Sequence, residues 1–438
     1  SHVRGTAKSG GCLEQDGINQ QRDFGTVVEY LARQPWSNGR VGSYGISYDG
    51  ETQNAGAIHR PRGLATIIPM EAISGLYETV YFDGVPLYAA NPSVATAYTV
   101  GSVTPPNNSH YPERLGCASE QILSNLDPSG TMTPYFVERE FRLRADQIRA
   151  SVLFVQGFQD DTVLPINIDR FYDRIPSFKR AILGQWSHEI PDANDHGRKD
   201  WFDIVHAWFD HELLRLPTGV ERWPPVQVQD ENDVWRAADS FAGLSTRRRQ
   251  PLGRGAFGAA APSGAVQAFT EVTEAFWVGP TLHKPLHLSG QVVLDATITL
   301  DRSDAHFVLH VEEIRPNGSV ELLTEGFLSA PHREDLTRPV PVPFGQPVRY
   351  RIRTYPFDAT LGRGSHLRIT LSGSELLSSR NLLVNRAIPA GTLFTARVAV
   401  DGRSAVILPV VTRMCGVDVR QTHPLEVRVP GCPSGPGG

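Results

Sequence analysis

The sequence of 438 residues has little cysteine and no long apolar run. Its four cysteines, Cys12, Cys117, Cys415 and Cys432, include no Cys-x-x-Cys pair, so neither a zinc knuckle nor a thioredoxin-like redox site is predicted. The chain has no run of about 18 apolar residues that would predict a transmembrane helix. No signal peptide is visible either. Two disulfides, Cys12–Cys117 and Cys415–Cys432, would fit an exported protein, and four buried thiols are the alternative.

Excess basic charge is also lacking. The net charge is -5 at pH 7, and the one dense basic run, Arg247-Arg248-Arg249, is short enough for a solvated loop. Nucleic-acid-binding proteins normally show a basic surplus or a basic stripe. We therefore expect neither a nucleic acid nor a membrane as a partner, and the oligomeric state stays open.

No pattern of metal ligands stands out in the chain. Asp192, Asp195 and His196 lie close together, but their spacing fits no recognised ligand motif, and their surroundings are typical of an exposed loop. We expect no metal and no other cofactor.

The chain is long enough for two domains. In its first half, short strand-like runs alternate with helical patterns, which predicts a parallel sheet with crossover helices. The alternation stops over residues 76–149, which we interpret as a cap insertion within an α/β domain of residues 1–222. The predicted strands are 40–45, 65–69, 150–156 and 179–183, and the predicted helices are 24–33, 48–58 and 201–214.

The second half has a different sequence pattern, in which many short runs of alternating apolar and polar residues lie between Gly and Pro turns. This pattern predicts an all-β sandwich or jelly roll over residues 223–438. A hairpin turn is expected at Pro316-Asn317-Gly318-Ser319, a long surface loop at 242–265 and a disordered tail at 430–438. The predicted strands are 292–300, 307–313, 348–354, 367–371 and 395–400.

The segment Gly45-Ile46-Ser47-Tyr48-Asp49-Gly50 carries the strongest chemical signal. A strand is predicted to run into Gly45 and a helix to begin just after Ser47, which is the context of a nucleophile elbow. In such a turn the serine hydroxyl stands clear of the sheet at a helix N-terminus, where developing negative charge is favoured. A simple turn is the alternative, because the second glycine is displaced by one residue from the usual Gly-x-Ser-x-Gly.

An acid and a histidine follow in the order that an α/β-hydrolase requires. Asp160 comes just after one predicted strand, and His188 comes just after the next. Because the carboxyl ends of parallel strands meet at one edge, we expect Ser47, Asp160 and His188 to form a triad there. His188 would take the proton of Ser47, and Asp160 would orient the imidazole. Asp161 is the rival acid.

These segments resemble the Xaa-Pro dipeptidyl-peptidase and cocaine esterase family of α/β-hydrolases. Residues 45–50 resemble the Gly-x-Ser-Tyr-x-Gly elbow of the family, in which the displaced glycine is normal. Residues 4–11 are similar to its Arg-Gly-x-Gly-x-Ser-x-Gly segment, with Ala7 in place of the second glycine. Residues 157–163, 184–188 and 208–213 resemble the stretches that carry the acid, the histidine and the closing helix.

The resemblance implies an α/β-hydrolase domain followed by a jelly-roll domain, and it favours Asp160 as the acid. It implies a serine peptidase that releases Xaa-Pro dipeptides through an acyl-enzyme, with the N–H of Tyr48 as an oxyanion donor. Family members carry strands before the Arg4 segment and a loop tyrosine that supplies a second donor. This sequence begins after that point, so we expect the second donor to be missing from it.

The resemblance leaves the substrate open between a peptide and a small ester or amide, and a non-catalytic hydrolase-like binding protein is a third reading. A dipeptidyl-peptidase also needs a counter-charge for the substrate amine, for which the cap offers several acids. Four aromatic residues are candidates for a proline pocket, with packing in the cap core as the alternative. They are Tyr77, Tyr81, Phe82 and Trp186.

Overall fold

The computed structural model describes residues 2–87, 100–101, 114–193, 197–258, 266–270, 272–374, 394–400, 402–412 and 416–417. Within this part of the chain, an α/β half is followed by an all-β half. The helices are α1 (Ile18–Ala32), α2 (Tyr48–Ala57), α3 (Tyr77–Val80), α4 (Arg114–Asn125), α5 (Pro134–Glu138), α6 (Asn167–Arg170) and α7 (Trp201–Leu214). Short 3₁₀ helices span Phe141–Gln147, Tyr172–Arg174, Val220–Arg222, Ala242–Leu244 and Ala330–His332.

A largely parallel sheet forms the centre of the first half. Its strands follow the order β1-β2-β5-β6-β7-β8-β21, and the pairs from β1 to β7 are parallel. The inner strands are continuous apolar runs because helices cover both of their faces. The strands of this sheet are β1 (Val41–Ile46), β2 (Leu64–Met70), β5 (Ser151–Gly157), β6 (Lys179–Gly184), β7 (Val226–Gln229), β8 (Trp235–Ala238) and β21 (Gly416–Val417).

The predicted strands and helices of the first half are confirmed, with one difference in α1. This helix begins at Ile18 rather than at residue 24. Its first turns carry polar residues, so apolar periodicity does not reveal them. Gln20 and Gln21 are nevertheless buried there, because their side-chain amides donate to the carboxylate and the carbonyl of Asp16 respectively.

The helix α7 covers one face of the sheet. Trp201, Ile204 and Trp208 lie on its buried stripe, as the sequence pattern indicates. Trp208 is fully buried, stacks on Phe178 with ring centroids 5.7 Å apart, and donates from Nε1 to the hydroxyl of Thr66 at 2.7 Å.

The cap region adds α3, α4, α5 and a small hairpin of β3 (Tyr81–Phe82) and β4 (Val85–Pro86). Cys12 forms a disulfide bond, as the hypothesis of an exported protein with two disulfides requires. The side chain of Cys117 and the residues Cys415 and Cys432 lie outside the described part, so both pairings stay predictions.

The second half is a sandwich of antiparallel sheets, as predicted. One sheet follows the order β10-β19-β13-β20-β12-β17, with β16 beside β13 and β9 beside β20, and the other follows β11-β18-β14-β15. Apolar side chains from both sheets, such as Trp277, Ile298, Phe307 and Tyr350, form one buried core. The strands are β9 (Thr246–Pro251), β10 (Val266–Thr270), β11 (Glu274–Val278), β12 (Leu286–Gly290), β13 (Val293–Leu300), β14 (His306–Ile314), β15 (Val320–Ser329), β16 (Pro347–Arg353), β17 (Phe357–Leu361), β18 (His366–Ser372), β19 (Thr395–Ala399) and β20 (Ala405–Val410).

The hairpin turn at residues 316–319 is confirmed between β14 and β15, with Gly318 at φ 84°. The long loop expected at 242–265 is wrong in its described part, and so is the solvated loop expected for Arg247-Arg248-Arg249. Residues 246–251 form the strand β9, which pairs along its length with β20. The three arginine side chains are exposed, but backbone pairing does not depend on their polarity.

The expected boundary after residue 222 stays a prediction, and so do the limits of the cap. The first sheet itself continues beyond residue 222, because β7, β8 and β21 join it. The predicted tail at 430–438 lies outside the described residues. No helix in the described part is long and apolar enough to cross a membrane.

We predict that Trp208→Ala lowers the free energy of unfolding by about 3–5 kcal/mol, because it removes a buried ring and leaves a cavity. Urea unfolding followed by fluorescence measures the loss. Phe202→Ala on the same helix is the matched control, since Phe202 is 55% exposed and should change stability by only about 0.5 kcal/mol or less. Equal losses for the two variants would contradict the packing described for α7.

Candidate active site

A tight turn joins β1 to α2 and places Ser47 between them. Ser47 has φ 59° and ψ −130°, a backbone conformation that residues with a side chain rarely adopt. The turn is held because the N–H of Ser47 donates to the carbonyl of Met70 at 2.9 Å, and the carbonyl of Ser47 accepts from Gly50 and Glu51. The side chain of Ser47 is partly exposed at the N-terminus of α2.

The two glycines of the motif are there because the chain passes too close for a side chain. A Cβ atom on Gly45 would lie 2.6 Å from the Cβ of Asp49. One on Gly50 would lie 2.8 Å from the Cβ of Ala72 and 2.9 Å from the carbonyl oxygen of Gly45. The displaced second glycine therefore allows α2 to pack against the chain that follows β2.

Asp160 and His188 form a hydrogen-bonded pair at the same edge of the sheet. Oδ2 of Asp160 lies 2.9 Å from Nδ1 of His188. Oδ1 of Asp160 accepts from the backbone N–H groups of Thr162 and Val163, both at 2.8 Å. Asp160 is buried and held as an acceptor, so it can fix the orientation of the imidazole and leave Nε2 available for proton transfer.

Asp161 is exposed and forms no hydrogen bond with His188. Its negative charge still acts on the imidazole. Burial lowers the pKa of His188, but the hydrogen bond and the charge of Asp160, together with the charge of Asp161, outweigh that effect and raise the pKa above its usual 6.5.

Ser47 follows β1, Asp160 follows β5 and His188 follows β6, so all three lie at the carboxyl edge of the parallel strands. Among the described residues no hydrogen bond joins the hydroxyl of Ser47 to His188. Such contacts are often long without substrate and tighten when it binds. The arrangement can therefore deliver a hydroxyl nucleophile beside a base that an acid orients.

Tyr48 is the first residue of α2. Its N–H is therefore one of the backbone groups that point out of the N-terminus of the helix. Its phenol exchanges hydrogen bonds with the side chain of Gln20 at 2.8 and 3.1 Å. That contact fixes the residue next to Ser47, and the role of its N–H as an oxyanion donor stays a prediction.

The four aromatic candidates for a proline pocket are all buried, with at most 1% of their surface exposed. Tyr77 and Tyr81 pack edge-on against Phe136 in the cap. Phe82 packs against residues of the all-β half, and Trp186 packs against Trp235. The structure thus brings these rings into the core rather than to an open surface, and a pocket role for them stays a prediction.

Glu71 is a residue that the sequence analysis missed. It follows β2 directly, is fully buried, and accepts hydrogen bonds from the loops that carry Asp160 and His188. The signal was available in the sequence, because an acid directly after a buried strand lies at the same edge as Asp160.

Comparison with known protein families agrees with this geometry. Residues 1–189 match the family model for the X-Pro dipeptidyl-peptidase (S15 family). Residues 218–379 match the model for the X-Pro dipeptidyl-peptidase C-terminal non-catalytic domain. The chain belongs to the Xaa-Pro dipeptidyl-peptidase family. The resemblance inferred from the motifs is therefore confirmed.

Two relatives illustrate the distance within the Xaa-Pro dipeptidyl-peptidase family. A protein of Streptomyces avermitilis, provisionally assigned as an Xaa-Pro dipeptidyl-peptidase, is 29% identical over 360 residues, or 72% of this chain and 51% of its own. The Xaa-Pro dipeptidyl-peptidase of Lactobacillus delbrueckii subsp. bulgaricus is 29% identical over 219 residues, or 47% of this chain and 27% of its own. The chain thus spans about half, or less, of the length of these two relatives.

Solved structures with the same fold include a CocE/NonD family hydrolase from Staphylococcus aureus, with a TM-score of 0.77 and 17% identity over 94% of this chain and 78% of that one. An α-amino acid ester hydrolase has a TM-score of 0.70 and 16% identity over 93% of this chain and 84% of that one. At this level of identity they establish the fold, an α/β-hydrolase domain followed by an all-β domain.

We predict that His188 titrates with a midpoint above 6.5 and that Asp160→Asn lowers the midpoint, because burial is then opposed only by the charge of Asp161. Asp161→Asn should lower the midpoint less, because only a distant charge is removed. The midpoint lies above 6.5 because a nearby anion stabilises the imidazolium. The neutral base therefore appears only at higher pH. NMR of histidine-labelled protein, assigned with His188→Gln, measures the midpoints. A larger drop for Asp161→Asn would reverse the roles of the two acids.

Proposed function

We propose that this chain is a serine hydrolase in which Ser47 is the nucleophile, His188 the general acid and base, and Asp160 the orienting acid. The observation that carries the proposal is the buried, doubly anchored Asp160 bonded to His188 at the edge where the strained Ser47 emerges. Strain of this kind at a residue with a side chain is concentrated at functional sites.

The reaction follows from the positions of these groups. Oγ of Ser47 attacks the substrate carbonyl while Nε2 of His188 takes its proton. The carbonyl oxygen becomes an oxyanion, which the N–H of Tyr48 stabilises. His188 then gives the proton to the leaving group and an acyl-enzyme remains. Water attacks that ester by the same route, with His188 taking a proton from the water and returning it to Ser47.

The substrate we propose is a peptide with proline in its second position, from which the enzyme releases an Xaa-Pro dipeptide. Both halves of the chain match family models of X-Pro dipeptidyl-peptidases, and the relatives described above carry that name. Amide hydrolysis requires protonation of a poor leaving group, which the Asp160–His188 pair can supply.

A dipeptidyl-peptidase must also hold the free α-amine of its substrate. Glu78 and Asp83 of the cap are largely committed to other partners, because Glu78 pairs with Arg142 and Arg170, and Asp83 with Arg170 and Arg353. Glu120 and Glu138 are exposed candidates for the counter-charge, and Glu138 pairs with Arg139 at 3.2 Å.

We predict that Ser47→Ala lowers turnover by several orders of magnitude, on the order of 10⁴-fold or more, because the members of a triad act as a unit. Labelling with a fluorophosphonate probe and mass spectrometry of the labelled peptide locate the nucleophile. Thermal unfolding of the variant should match that of the native protein. A probe that still labels Ser47→Ala protein would place the nucleophile elsewhere.

We predict that Gly-Pro and Ala-Pro chromogenic amides are the best substrates and that N-acetylation abolishes most of their hydrolysis. A counter-charge that the bound substrate covers but leaves without the ammonium group costs a few kcal/mol, or roughly a hundredfold in kcat/KM. The measurement compares kcat/KM for Ala-Pro amide, its N-acetylated form and a phenyl ester. Preference for the ester or the acetylated amide would assign the chain an esterase or amidase activity. Hydrolysis of none of them would favour a non-catalytic binding protein.

A further inference from the structure

Glu71 occupies an unusual position beneath the triad. It is the first residue after β2, and its backbone has a positive φ of 44°. Its N–H donates to the carbonyl of Val155 at 3.1 Å, and its side chain has no exposed surface. A strained backbone and a buried carboxyl group both cost free energy, so the contacts of this side chain must offset them.

The carboxyl group of Glu71 contacts both loops of the triad. Oε1 accepts from the indole Nε1 of Trp186 at 2.6 Å and from the N–H of Gly157 at 2.9 Å. Oε2 accepts from the side-chain amide of Gln156 at 2.7 Å. Trp186 lies two residues before His188, while Gln156 and Gly157 lead into the loop of Asp160.

The carboxyl group of Glu71 also lies next to that of Asp160, because the side-chain amide of Gln156 reaches Oε2 of Glu71 at 2.7 Å and Oδ2 of Asp160 at 3.5 Å. Two adjacent carboxyl groups cannot both be ionised at low cost, particularly where burial removes water. The donors named above are an indole, a backbone amide and a side-chain amide, all uncharged. Among the described residues no Lys or Arg forms an ion pair with Glu71. Burial, followed by the charge of Asp160, raises the pKa of Glu71 well above its usual value.

The two loops are already joined by backbone contacts beside this group. The N–H of Phe158 donates to the carbonyl of Gly184 at 2.8 Å, and that of Gln159 donates to the carbonyl of Trp186 at 3.2 Å. The carboxyl group of Glu71 therefore adds side-chain hydrogen bonds to the backbone contacts between the loop of Asp160 and the loop of His188.

We propose that Glu71 is a positioning residue: a neutral buried carboxyl group that donates a hydrogen bond to Asp160 and holds, through Trp186, the loop that presents His188. This inference rests on the proposed function, because positioning matters only if Ser47, His188 and Asp160 catalyse a reaction. Asp160 stays the hydrogen-bond partner of His188, and the proton on Glu71 keeps two adjacent buried carboxyl groups from repelling each other.

Glu71→Gln tests the neutral form directly. A glutamine amide keeps the shape, accepts from Trp186 and Gly157 through its oxygen, and donates to Asp160 through its N–H₂, and it gives up only the bond that Oε2 accepts from Gln156. We expect kcat within about threefold of native and an unchanged acid limb of the pH profile, since no transition-state interaction is lost. Glu71→Leu has a similar size but neither accepts nor donates.

For Glu71→Leu we expect kcat to fall on the order of tenfold to a hundredfold with little change in KM, because the base is displaced rather than the substrate site. The acid limb should move to higher pH. Asp160 then loses the donor that we propose on Glu71 and keeps those of Thr162 and Val163. It attracts the imidazole proton more strongly and raises the pKa of His188 further, so the neutral base appears only at higher pH.

A second variant covers the case in which Glu71→Leu does not fold. Trp186→Phe removes only the indole N–H donor and keeps a buried ring, and we expect kcat to fall by roughly tenfold with KM nearly unchanged. Glu140→Gln is the matched control. Glu140 is equally buried, with a pKa raised to about 7, but it bonds to Tyr77 and Arg142 and to neither triad loop. It should leave the pH profile unchanged.

Two outcomes overturn the inference. If Glu71→Gln loses as much kcat as Glu71→Leu, the ionised form is required. If Glu71→Leu, or Trp186→Phe in its place, folds and keeps native kcat and its native pH profile, the contacts are merely structural.

If the native chain hydrolyses nothing, the proposed function fails, and the NMR midpoint of His188 in the same variants decides the positioning role. An unchanged midpoint in Glu71→Leu, or an altered one in Glu71→Gln, rejects it.

Discussion

The turn between β1 and α2 is the constraint on which the site depends. Holding Ser47 at a positive φ costs on the order of 1–3 kcal/mol, so the surrounding structure has to enforce it. The backbone bond from Ser47 to Met70 ties the turn to β2, and the absence of a side chain at Gly45 and Gly50 allows the close approach that the turn needs. With the turn fixed, the position of the Ser47 hydroxyl is set. Asp160 and His188 must then reach it from the strands β5 and β6.

The all-β half supports this arrangement from the other side. Gln185, three residues before His188, donates to the carbonyl of Asp358 in β17 at 3.2 Å. The carboxylate of Asp358 pairs in turn with Arg236 of the first sheet and with His287 of β12. The domain that matches a non-catalytic family model therefore contacts the loop of His188 directly, which gives it a physical part in the candidate site without contributing a residue to the proposed triad.

Local signals were enough for most of the fold. Apolar runs and helical periodicity revealed the strands and helices of the first half, because fully buried strands and an amphipathic helix such as α7 have distinctive local patterns. They failed where polarity hides the structure. The start of α1 is buried through the hydrogen bonds of Gln20 and Gln21, and β9 carries exposed arginines on a backbone that pairs with β20.

The sequence by itself determined the order of Ser47, Asp160 and His188, the strand after which each stands, and the family, because these follow from motifs that are contiguous along the chain. Only the tertiary structure decided which groups meet. It selected Asp160 over Asp161 as the partner of His188, buried Tyr77, Tyr81, Phe82 and Trp186 in the core, and brought Glu71 against both triad loops. Burial and pairing depend on chain segments distant in sequence, and no local pattern records which of them pack together.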